Sequence, residues 1–394
     1  MTAAPPAARD SWQCAAAVSE AVNILNTRYT NRSEVNCGNG DRLRAWRIEE
    51  FNRPDGLRYA EVDDLHPGEG MVRVRVGVSS VNHIDRLVIG GRFSWVPLPR
   101  TPGSEFVGTV EEIGEGTPAV SVGDRVAVFP KMFCGKCRYC LMHQEGICLS
   151  GWNPSRAPVD LSTNMLPLSM DGGWADQAVV PARNAVVLPD GLSFDRAFGI
   201  PLSATTAWHA IERSRAAEGE IAVVMGATGG VGLFALQILK LKGCRVIAVS
   251  GNESLSAKLR EAGADAVCAG GAELNECVTG IGGERGADVI VDFLGQSTFR
   301  QSVSLLAPGG RYVTGGTLTG NSGEIDLLRL YSRQIEIIGS TTGSIRDLAA
   351  AAAACAAGKI RTFVDSEFGL EEIPDAIRRH SEHGRFGKVK IRVE

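Results

Sequence analysis

The chain has 394 residues, of which 44% are hydrophobic and 22% charged, and its formal net charge is −4. This length and composition predict a globular protein of two domains with sizeable cores, and the weak negative charge argues against a nucleic-acid partner. No apolar run reaches the roughly 18 residues that a membrane span requires. The cations Arg378, Arg379, Lys388 and Lys390 are interleaved with Glu382, which favours a solvated surface over a phosphate-binding patch.

Residues 1–43 differ from the rest of the chain. Residues 1–8 are low in complexity, and no charged start leads into an apolar core, as it would in a signal peptide. An organellar transit peptide would be richer in arginine and poorer in acids. We therefore expect residues 1–43 to form a loosely ordered extension, or to result from an over-early start codon.

Residues 44–200 alternate short strand patterns with glycine-rich turns. Residues 72–76 read Val-Arg-Val-Arg-Val, the alternation of a half-buried strand. Glycine then recurs at Gly103, Gly108 and Gly123. This rhythm predicts a compact, barrel-like β domain.

Within this domain, a cysteine quartet has the spacing Cys134-x2-Cys137-x2-Cys140-x7-Cys148. Two-residue gaps let the thiolates converge on one tetrahedral centre, and a site closed by four sulfurs leaves no position for a substrate. The alternative is four ordinary cysteines or a pair of disulfides. The remaining cysteines show no disulfide framework, so we predict one structural Zn²⁺, in a lobe at about residues 130–150, and a cytoplasmic protein.

After about residue 201, apolar strand patterns alternate with helical ones. Strands are predicted at residues 220–225, 244–250, 289–292, 311–314 and 335–338. An apolar helix is predicted at residues 233–242, and an alanine run at residues 349–357 predicts a packed helix. The fold class is therefore α/β, with a doubly wound parallel sheet of the Rossmann type beside the β domain.

A glycine-rich loop lies between the first of these strands and its helix. Glycines there permit a tight turn and let the backbone approach a pyrophosphate, which rests on the amides of the helix N-terminus. The predicted dinucleotide-binding residues of this loop are Gly226, Thr228, Gly229, Gly230, Val231 and Gly232.

The end of the second strand bears on the choice between NADPH and NADH. An NAD site usually has an acid there, which bonds the ribose hydroxyls and repels a 2′-phosphate. Here Ser250 and Asn252 occupy the strand end, and Glu253 follows one position later. The missing acid favours NADPH, with NADH possible. Leu255 stands where a cation would bind the phosphate, and Lys258 replaces it only if the loop bends.

The sequence from Arg44 onward resembles the medium-chain dehydrogenase/reductase superfamily, which includes zinc alcohol dehydrogenases and quinone reductases. Besides the cysteine quartet and the glycine loop, the matching motifs are residues 81–85 (Val-Asn-His-Ile-Asp), 102–108 (Pro-Gly-Ser-Glu-Phe-Val-Gly), 122–126 (Val-Gly-Asp-Arg-Val), 172–175 (Gly-Gly-Trp-Ala) and 188–191 (Leu-Pro-Asp-Gly). The resemblance implies a GroES-like catalytic domain at 44–200, a Rossmann domain at 201–344 and a return into the catalytic domain at 345–394. It also implies a small-molecule substrate and a homo-oligomer, either a dimer or a tetramer.

The resemblance further implies that the catalytic metal is gone. Zinc alcohol dehydrogenases bind it with ligands at positions matching Asn82, Ser104 and Leu202, none of which is a good zinc ligand. The hydroxyl that relays the proton of the alcohol falls at Ile84. What remains is similar to the zinc-free quinone and enoyl reductases, which share the Val-Asn-x-x-Asp pattern that ends at Asp85.

Without a Lewis acid, the easiest hydride acceptor is a quinone or a C=C conjugated to a carbonyl. Asn82 is the first candidate to donate a hydrogen bond to the substrate or to orient it, rather than merely to bond its own turn. Ser104 belongs to the same candidate catalytic group, as does Asp85. Asp85 and Glu105 match positions that support the zinc ligands and are expected to brace the cleft.

Other positions are assigned by the resemblance. His83 matches a pyrophosphate contact, with a partly buried structural histidine as the alternative. Thr206 matches a position beside the nicotinamide, and Gly315 is placed at the cofactor. His209 is interpreted as helix packing rather than a general acid, and the proton donor stays unassigned.

Three functions are therefore open: a metal-free reductase of an enone, enoyl thioester or quinone; a zinc-dependent alcohol dehydrogenase; and an NADPH-binding protein without turnover. The first is the leading hypothesis, because the ligand set for the second is missing from the matched positions.

Overall fold

A computed structural model describes residues 43–53, 55–117, 119–151, 164–282 and 285–394. The predicted N-terminal extension therefore lies outside the described residues, apart from Leu43. No helix in the described ranges is long and apolar enough to cross a membrane.

The strands are numbered in chain order. They are β1 Leu43–Ile48, β2 Leu57–Val62, β3 Met71–Val81, β4 Phe106–Ile113, β5 Arg125–Val128, β6 Gln177–Pro181, β7 Ala185–Val187, β8 Ile221–Met225, β9 Arg245–Val249, β10 Ala266–Cys268, β11 Ala287–Asp292, β12 Leu306–Thr314, β13 Glu336–Gly339, β14 Val364–Gly369 and β15 Lys388–Arg392.

The α-helices of the described residues are numbered in the same way. They are α1 His83–Ile89, α2 Arg138–Leu141, α3 Phe194–Ala197, α4 Thr205–Ser214, α5 Gly230–Leu241, α6 Ser256–Glu261, α7 Ala272–Gly282, α8 Gln296–Leu305, α9 Leu327–Ser332, α10 Ile345–Ala356 and α11 Ile373–Ser381. One turn of π-helix, Ile200–Ala204, leads directly into α4.

The predicted β domain is built on a seven-stranded sheet in which β3 is the central element. The strand order is β14-β15-β3-β4-β5-β7, and β6 also pairs with β3. Val72, Val74 and Val76 of β3 are completely buried, while Arg73 and Arg75 form ion pairs on the other face. The predicted alternation is thus confirmed, and β15 inserts between β14 and β3.

The predicted Rossmann sheet is also confirmed. Its six strands have the order β10-β9-β8-β11-β12-β13, and all of its pairings are parallel. The chain leaves β8 toward β9 on one side and later returns to β11 on the other. Ligands of such sheets bind at the carboxyl ends of the strands where this order reverses.

A continuous cluster of buried apolar side chains connects the two sheets. It includes Phe129 from the β domain, Val224 and Val291 from the Rossmann sheet, and Ile200 and Ala204 from the π-turn between them. The π-turn is therefore packed from both sides, which fixes its backbone beside the cleft.

The prediction that Lys388 and Lys390 belong to a solvated surface is wrong. Both lie on β15, with relative exposures of 4% and 3%. A buried ammonium needs an ionic partner, and each has one: Lys388 pairs with Glu105 and Lys390 with Glu367. The side chain of Arg378, in contrast, is 69% exposed.

Candidate active site and thiolate lobe

The predicted cysteine quartet converges in the structure. The Sγ atoms of Cys134, Cys137, Cys140 and Cys148 all lie within 4.8 Å of one another. Individual Sγ–Sγ distances are 3.5 Å for Cys137–Cys140, 3.8 Å for Cys137–Cys148 and 3.9 Å for Cys134–Cys140. A tetrahedral zinc with Zn–S bonds of about 2.3 Å holds its sulfurs about 3.8 Å apart. These cysteines are free of disulfides, so the donor set and its spacing fit one zinc ion.

Backbone amides support this lobe. The N–H of Cys134 donates to Sγ of Cys148 (3.2 Å), and the N–H of Cys137 donates to Sγ of Cys134 (3.3 Å). Such bonds favour the thiolate, the form that binds a metal. A side chain at Gly146 would lie 2.7 Å from the carbonyl oxygen of Gly343. Glycine at position 146 thus lets the lobe pack tightly against the segment that follows β13.

The glycine-rich loop joins β8 to α5 as predicted. Gly226 has φ of +72°, a conformation that favours glycine. A Cβ at Gly232 would lie 2.3 Å from the carbonyl oxygen of Gly226, so only glycine lets α5 pack this closely on the strand. Thr228, Gly229 and Val231 are half-exposed, which leaves the loop and the N-terminal amides of α5 accessible to a phosphate.

The end of β9 carries the residues that bear on the choice of cofactor. The N–H of Asn252 donates to Oγ of Ser250 (3.2 Å), and Oδ1 of Asn252 accepts from the N–H of Ser254 (3.1 Å). Leu255 is buried. Nζ of Lys258 lies 5.6 Å from the centre of the Phe386 ring, so this cation is directed at an aromatic face.

The cleft side of the β domain holds a buried ionic network centred on Lys388. Its Nζ lies 2.6 Å from Oε2 of Glu105, 2.5 Å from Oδ1 of Asn82 and 3.1 Å from Oγ of Ser203. Three acceptors match the three donors of an ammonium group. The Lys388 stem also crosses the cofactor loop, because a Cβ at Gly230 would lie 2.4 Å from its Cδ.

Glu105 is the anion of this network and is completely buried. Its Oε1 accepts hydrogen bonds from the N–H groups of Leu202 and Ser203, both at 2.8 Å, and its Oε2 accepts one from Oγ of Ser80 at 2.8 Å. Burial raises the pKa of Glu105, but the charge of Lys388 and these backbone donors outweigh it, so its pKa lies below the ordinary value. The carboxylate thereby fixes the π-turn onto the β domain.

Asn82 and Ser104 stand beside this ion pair. Nδ2 of Asn82 donates to Oγ of Ser104 (3.3 Å) and to Oε2 of Glu105 (3.2 Å). Asp85 is completely buried, and its carboxylate accepts from the N–H of Asn82 (2.9 Å) and from the N–H of Ser104 (2.8 Å). Burial raises the pKa of Asp85 to about 6, against these hydrogen bonds. The structure thus brings the three predicted catalytic residues into one network.

The positions that match the third zinc ligand and the proton relay form an apolar wall. Leu202 and Ile84 belong to one cluster with Val96, Phe93 and Leu98.

The remaining predicted residues lie around the same cleft or support it. The hydroxyl of Thr206 donates to the carbonyl of Leu202 (2.6 Å), and Gly315 follows β12 directly. Nδ1 of His209 lies 2.9 Å from Oδ2 of Asp347 and ties α4 to the start of α10, consistent with a packing role. His83 is half-buried on α1. Burial, Arg86 and Arg385 lower its pKa.

Two family domains match the chain. Residues 68–190 match the alcohol dehydrogenase GroES-like domain, and residues 230–357 match the zinc-binding dehydrogenase domain. An alcohol dehydrogenase from Geobacillus stearothermophilus is 31% identical over 361 residues, which cover 89% of this chain and all of that one. The chain belongs to the medium-chain dehydrogenase/reductase superfamily.

Other members of the superfamily are similar over comparable lengths. An acryloyl-coenzyme A reductase from Metallosphaera sedula is 30% identical over 337 residues, which cover 85% of this chain and 96% of that one. The structure of a thermostable alcohol dehydrogenase from Pyrobaculum aerophilum has a TM-score of 0.78 at 36% identity and covers 89% of this chain and 99% of that chain. The chain is an oxidoreductase of this superfamily, and its relatives include both acryloyl-coenzyme A reductases and alcohol dehydrogenases.

Lys388, Ser203 and Ser80 are the residues of the network that the sequence patterns missed. Lys388 was grouped with nearby surface cations, although it occupies an inward position of the strand Lys388–Arg392, which is buried at four successive residues. A search for alternating apolar and charged residues does not identify a strand that is buried on both faces. The available signal was an acid, Glu105, within the otherwise uncharged stretch 101–110, because a carboxylate buried there must find a cationic partner.

Proposed function

We propose that this protein is an NAD(P)H-dependent reductase of activated C=C bonds or quinones that works without a catalytic metal. The observation that carries the proposal is the Lys388 ammonium, which donates to Asn82 and Glu105 at 2.5 and 2.6 Å. Asn82 and Ser104 match two zinc-ligand positions of the family. A divalent cation beside this ammonium would be repelled, and the amide and hydroxyl offer no soft ligand to compensate.

When bound, the dinucleotide supplies a hydride from its nicotinamide ring. An acceptor held against the apolar wall of Ile84 and Leu202 takes that hydride at the β-carbon. The electron pair of the C=C bond then moves onto the carbonyl oxygen as an enolate, and a proton from water completes the saturated product at the α-carbon. In this proposal the fixed dipole of the Lys388–Glu105 ion pair acts on the developing anion from inside the protein.

Asn82, Asp85 and Ser104 are assigned positioning roles in this proposal. Asp85 and Ser104 are completely buried, and Asn82 is 9% exposed. Both ends of the Asn82 amide are already bonded, with Lys388 on Oδ1 and Ser104 on Nδ2. Asn82 thus holds the ammonium and the α1 N-terminus in place, and its small exposed surface faces the cleft.

The cofactor proposal rests on the loop and the strand end. The half-exposed loop at Thr228–Val231 and the N-terminus of α5 suit a pyrophosphate. Ser250 and Asn252 place no carboxylate where the adenosine ribose would lie, so NADPH is preferred over NADH. We further propose that the thiolate lobe binds one structural Zn²⁺.

The decisive experiment is an NADPH-oxidation screen with enoyl-CoA thioesters, simple enones, quinones and aldehydes, run beside an NADP⁺-reduction screen with primary and secondary alcohols. Reduction of at least one activated alkene or quinone, faster than any alcohol is oxidised, is the expected result. Faster alcohol oxidation would point to the alcohol dehydrogenase function of several relatives. Tight NADPH binding without turnover of any acceptor would point to a binding protein.

The proposed homo-oligomer has a candidate interface at the edge of the Rossmann sheet. Among the described strands, β13 pairs only with β12. Ile337 on β13 is 41% exposed, and Leu328 and Tyr331 on the adjacent α9 are 62% and 70% exposed. An open edge strand beside exposed apolar side chains suits antiparallel pairing with a second copy of the chain.

Light scattering tests this interface. The chain mass is 41.8 kDa, and we expect a mass of at least twice that value in solution. Ile337→Arg should lower it to the monomer mass, whereas Val122→Arg, at an exposed site in the β domain, should not. A monomeric unmodified protein would contradict the proposal.

A further inference from the structure

A group of basic side chains converges beside the glycine-rich loop without acidic partners of its own. His83 and Arg86 lie on α1, His380 lies on α11, and Arg385 follows α11. In the described part of the chain, none of these four side chains makes a hydrogen bond or an ion pair. Asp365, whose charge acts on Arg385, is already engaged by Arg379 through two hydrogen bonds of 2.8 Å.

The group is electrostatically unfavourable as it stands. Burial, together with the charges of Arg385, Lys388, Arg86 and His83, lowers the pKa of His380 to about 2. His380 is only 9% exposed, and its buried Nδ1 has no hydrogen-bond partner. Burial and Arg86 likewise act to lower the pKa of Arg385. The half-buried guanidinium groups of Arg86 and Arg385 are near enough for their charges to act on each other and have, among the described residues, no acid of their own, so an anion between them would be stabilised.

The position of Arg385 relates the group to the cofactor site. The N–H of Gly387 donates to the carbonyl of Thr228 in the glycine loop (2.9 Å). A Cβ at Gly384 would lie 3.8 Å from Nδ2 of Asn252. Residues 384–387 therefore run from the end of β9, where the adenosine ribose would lie, to the phosphate-binding loop. Arg385 is on the stretch between these two anchors.

We propose that Arg385, with Arg86, forms a subsite for a terminal phosphate monoester. The inference rests on the proposed function, because the two sources of such a group are the 2′-phosphate of NADPH and the 3′-phosphate of a coenzyme A thioester. A guanidinium binds phosphate through paired hydrogen bonds, and Arg385 and Arg86 are both only half-buried. The subsite supplies a cation for the phosphate. Position 255 is a leucine, and the ammonium group of Lys258 is directed at the Phe386 ring.

Calorimetric titrations of Arg385→Gln with NADPH, NADH and adenosine 2′,5′-bisphosphate test the first source. If the 2′-phosphate binds here, the variant should bind NADPH and the bisphosphate roughly 10- to 100-fold more weakly, the cost of losing charged hydrogen bonds. Its affinity for NADH should change by less than about threefold. The control is Arg378→Gln, an exposed arginine on α11 that pairs with Asp375, and it should leave all three affinities unchanged.

Steady-state kinetics with crotonoyl-CoA and crotonoyl-pantetheine test the second source. If the 3′-phosphate binds here, Arg385→Gln should raise KM for the CoA thioester roughly tenfold or more and leave KM for the pantetheine thioester and both cofactor affinities unchanged. The proposal is overturned if the variant weakens NADPH and NADH equally, or if it changes neither the cofactor preference nor the thioester preference.

Folding is checked by circular dichroism, and Arg86→Gln repeats the series if Arg385→Gln does not fold. The titrations need no turnover, so an inactive protein that still loses its preference for the 2′-phosphate would support the subsite while contradicting the proposed reaction.

Discussion

The thiolate lobe and the cleft network solve the same problem, burial of charge, in opposite ways. In the lobe, four cysteines between positions 134 and 148 present their sulfurs within 4.8 Å of one another. In the cleft, the residues that the sequence predicts at the other family metal site are an amide, a hydroxyl and a leucine, and the positive charge belongs to Lys388. The lobe has kept a donor set that fits a metal, whereas the cleft contains a fixed organic cation instead.

The two regions also differ in how far their parts are separated along the chain. The lobe is assembled from neighbours, but Lys388 reaches Asn82 across 306 positions. A substitution in the lobe should therefore affect mainly the lobe, whereas a substitution in the Lys388 network should affect contacts between segments that are distant in the chain. The following experiments, from the largest expected effect to the smallest, test this contrast.

Loss of a thiolate should have the largest effect. Cys137→Ser should lower the zinc content from about one per chain to near zero and lower the melting temperature at the same time, because metal binding and local folding are coupled. Metal analysis by mass spectrometry and thermal unfolding measure the two. Cys277→Ser is the control, since that cysteine lies outside the lobe. A zinc content of about two ions per chain, or none, in the unmodified protein would contradict the prediction of one zinc in the lobe and no metal in the cleft.

Removal of the cleft cation should come next. Lys388→Met leaves Glu105 buried without a counterion, and breaking such a pair costs about 3–5 kcal/mol of the free energy of unfolding. Lys388→Arg keeps the charge and should lose much less. Urea unfolding of the three proteins measures the difference. Equal stability of the Met variant and the unmodified protein would show that the pair contributes little.

The pH dependence of stability should change sign in the same variant. In the unmodified protein the pKa of Glu105 is lowered, so its contribution is present above the ordinary carboxyl pKa and is lost as the pH falls through the lower folded value. In Lys388→Met only burial and hydrogen bonds act, and we expect burial to raise that pKa.

The variant should therefore lose stability as the pH rises from about 4 to 7. Urea midpoints across this range, compared with Lys388→Arg, measure the slope. Parallel profiles for the Met and Arg variants would argue against Glu105 as the buried anion.

A smaller effect is expected at Asn82. Asn82→Ala removes the amide that holds Lys388 Nζ and should lower kcat by about tenfold or more, with NADPH affinity changed by less than about twofold. Asn82→Gln keeps an amide that can accept from the ammonium and donate to Glu105, and it should retain more activity. A fall in affinity as large as the fall in kcat would instead place Asn82 at the cofactor.

The smallest effect is expected at the end of β9. Ser250→Asp places a carboxylate where the ribose hydroxyls would lie and should shift the preference toward NADH, because the acid repels a 2′-phosphate. We expect a shift of about tenfold or less. Asn252→Ser is a neutral control. Tighter binding of NADH than NADPH before any substitution would reverse the cofactor assignment.

The sequence predicted best the features that depend on neighbours. The quartet, the glycine loop and the helix over the alanine run, now Ile345–Ala356, follow from spacing and local preference. The predicted starts of two elements were wrong, because glycine and proline indicate a turn. The helix predicted from residue 233 begins at Gly230, and the strand predicted from residue 311 begins at Leu306 and includes Pro308 and two glycines. The burial of Lys388 was missed because its partner lies 283 positions away, and no local pattern encodes such a distance.

Because β15 lies between β14 and β3, the seven-stranded sheet cannot be completed until the C-terminal end of the chain has been synthesised. A ribosome adding about 5–20 residues per second needs roughly 15–60 s to travel from codon 105 to codon 388. Throughout that interval Glu105 has no ammonium to accompany it into the interior, which disfavours completion of the seven-stranded sheet. Strands β8 to β13 form one uninterrupted stretch of the chain, so the parallel sheet can close first. We therefore expect the half that is translated earlier to be the half that completes its fold later.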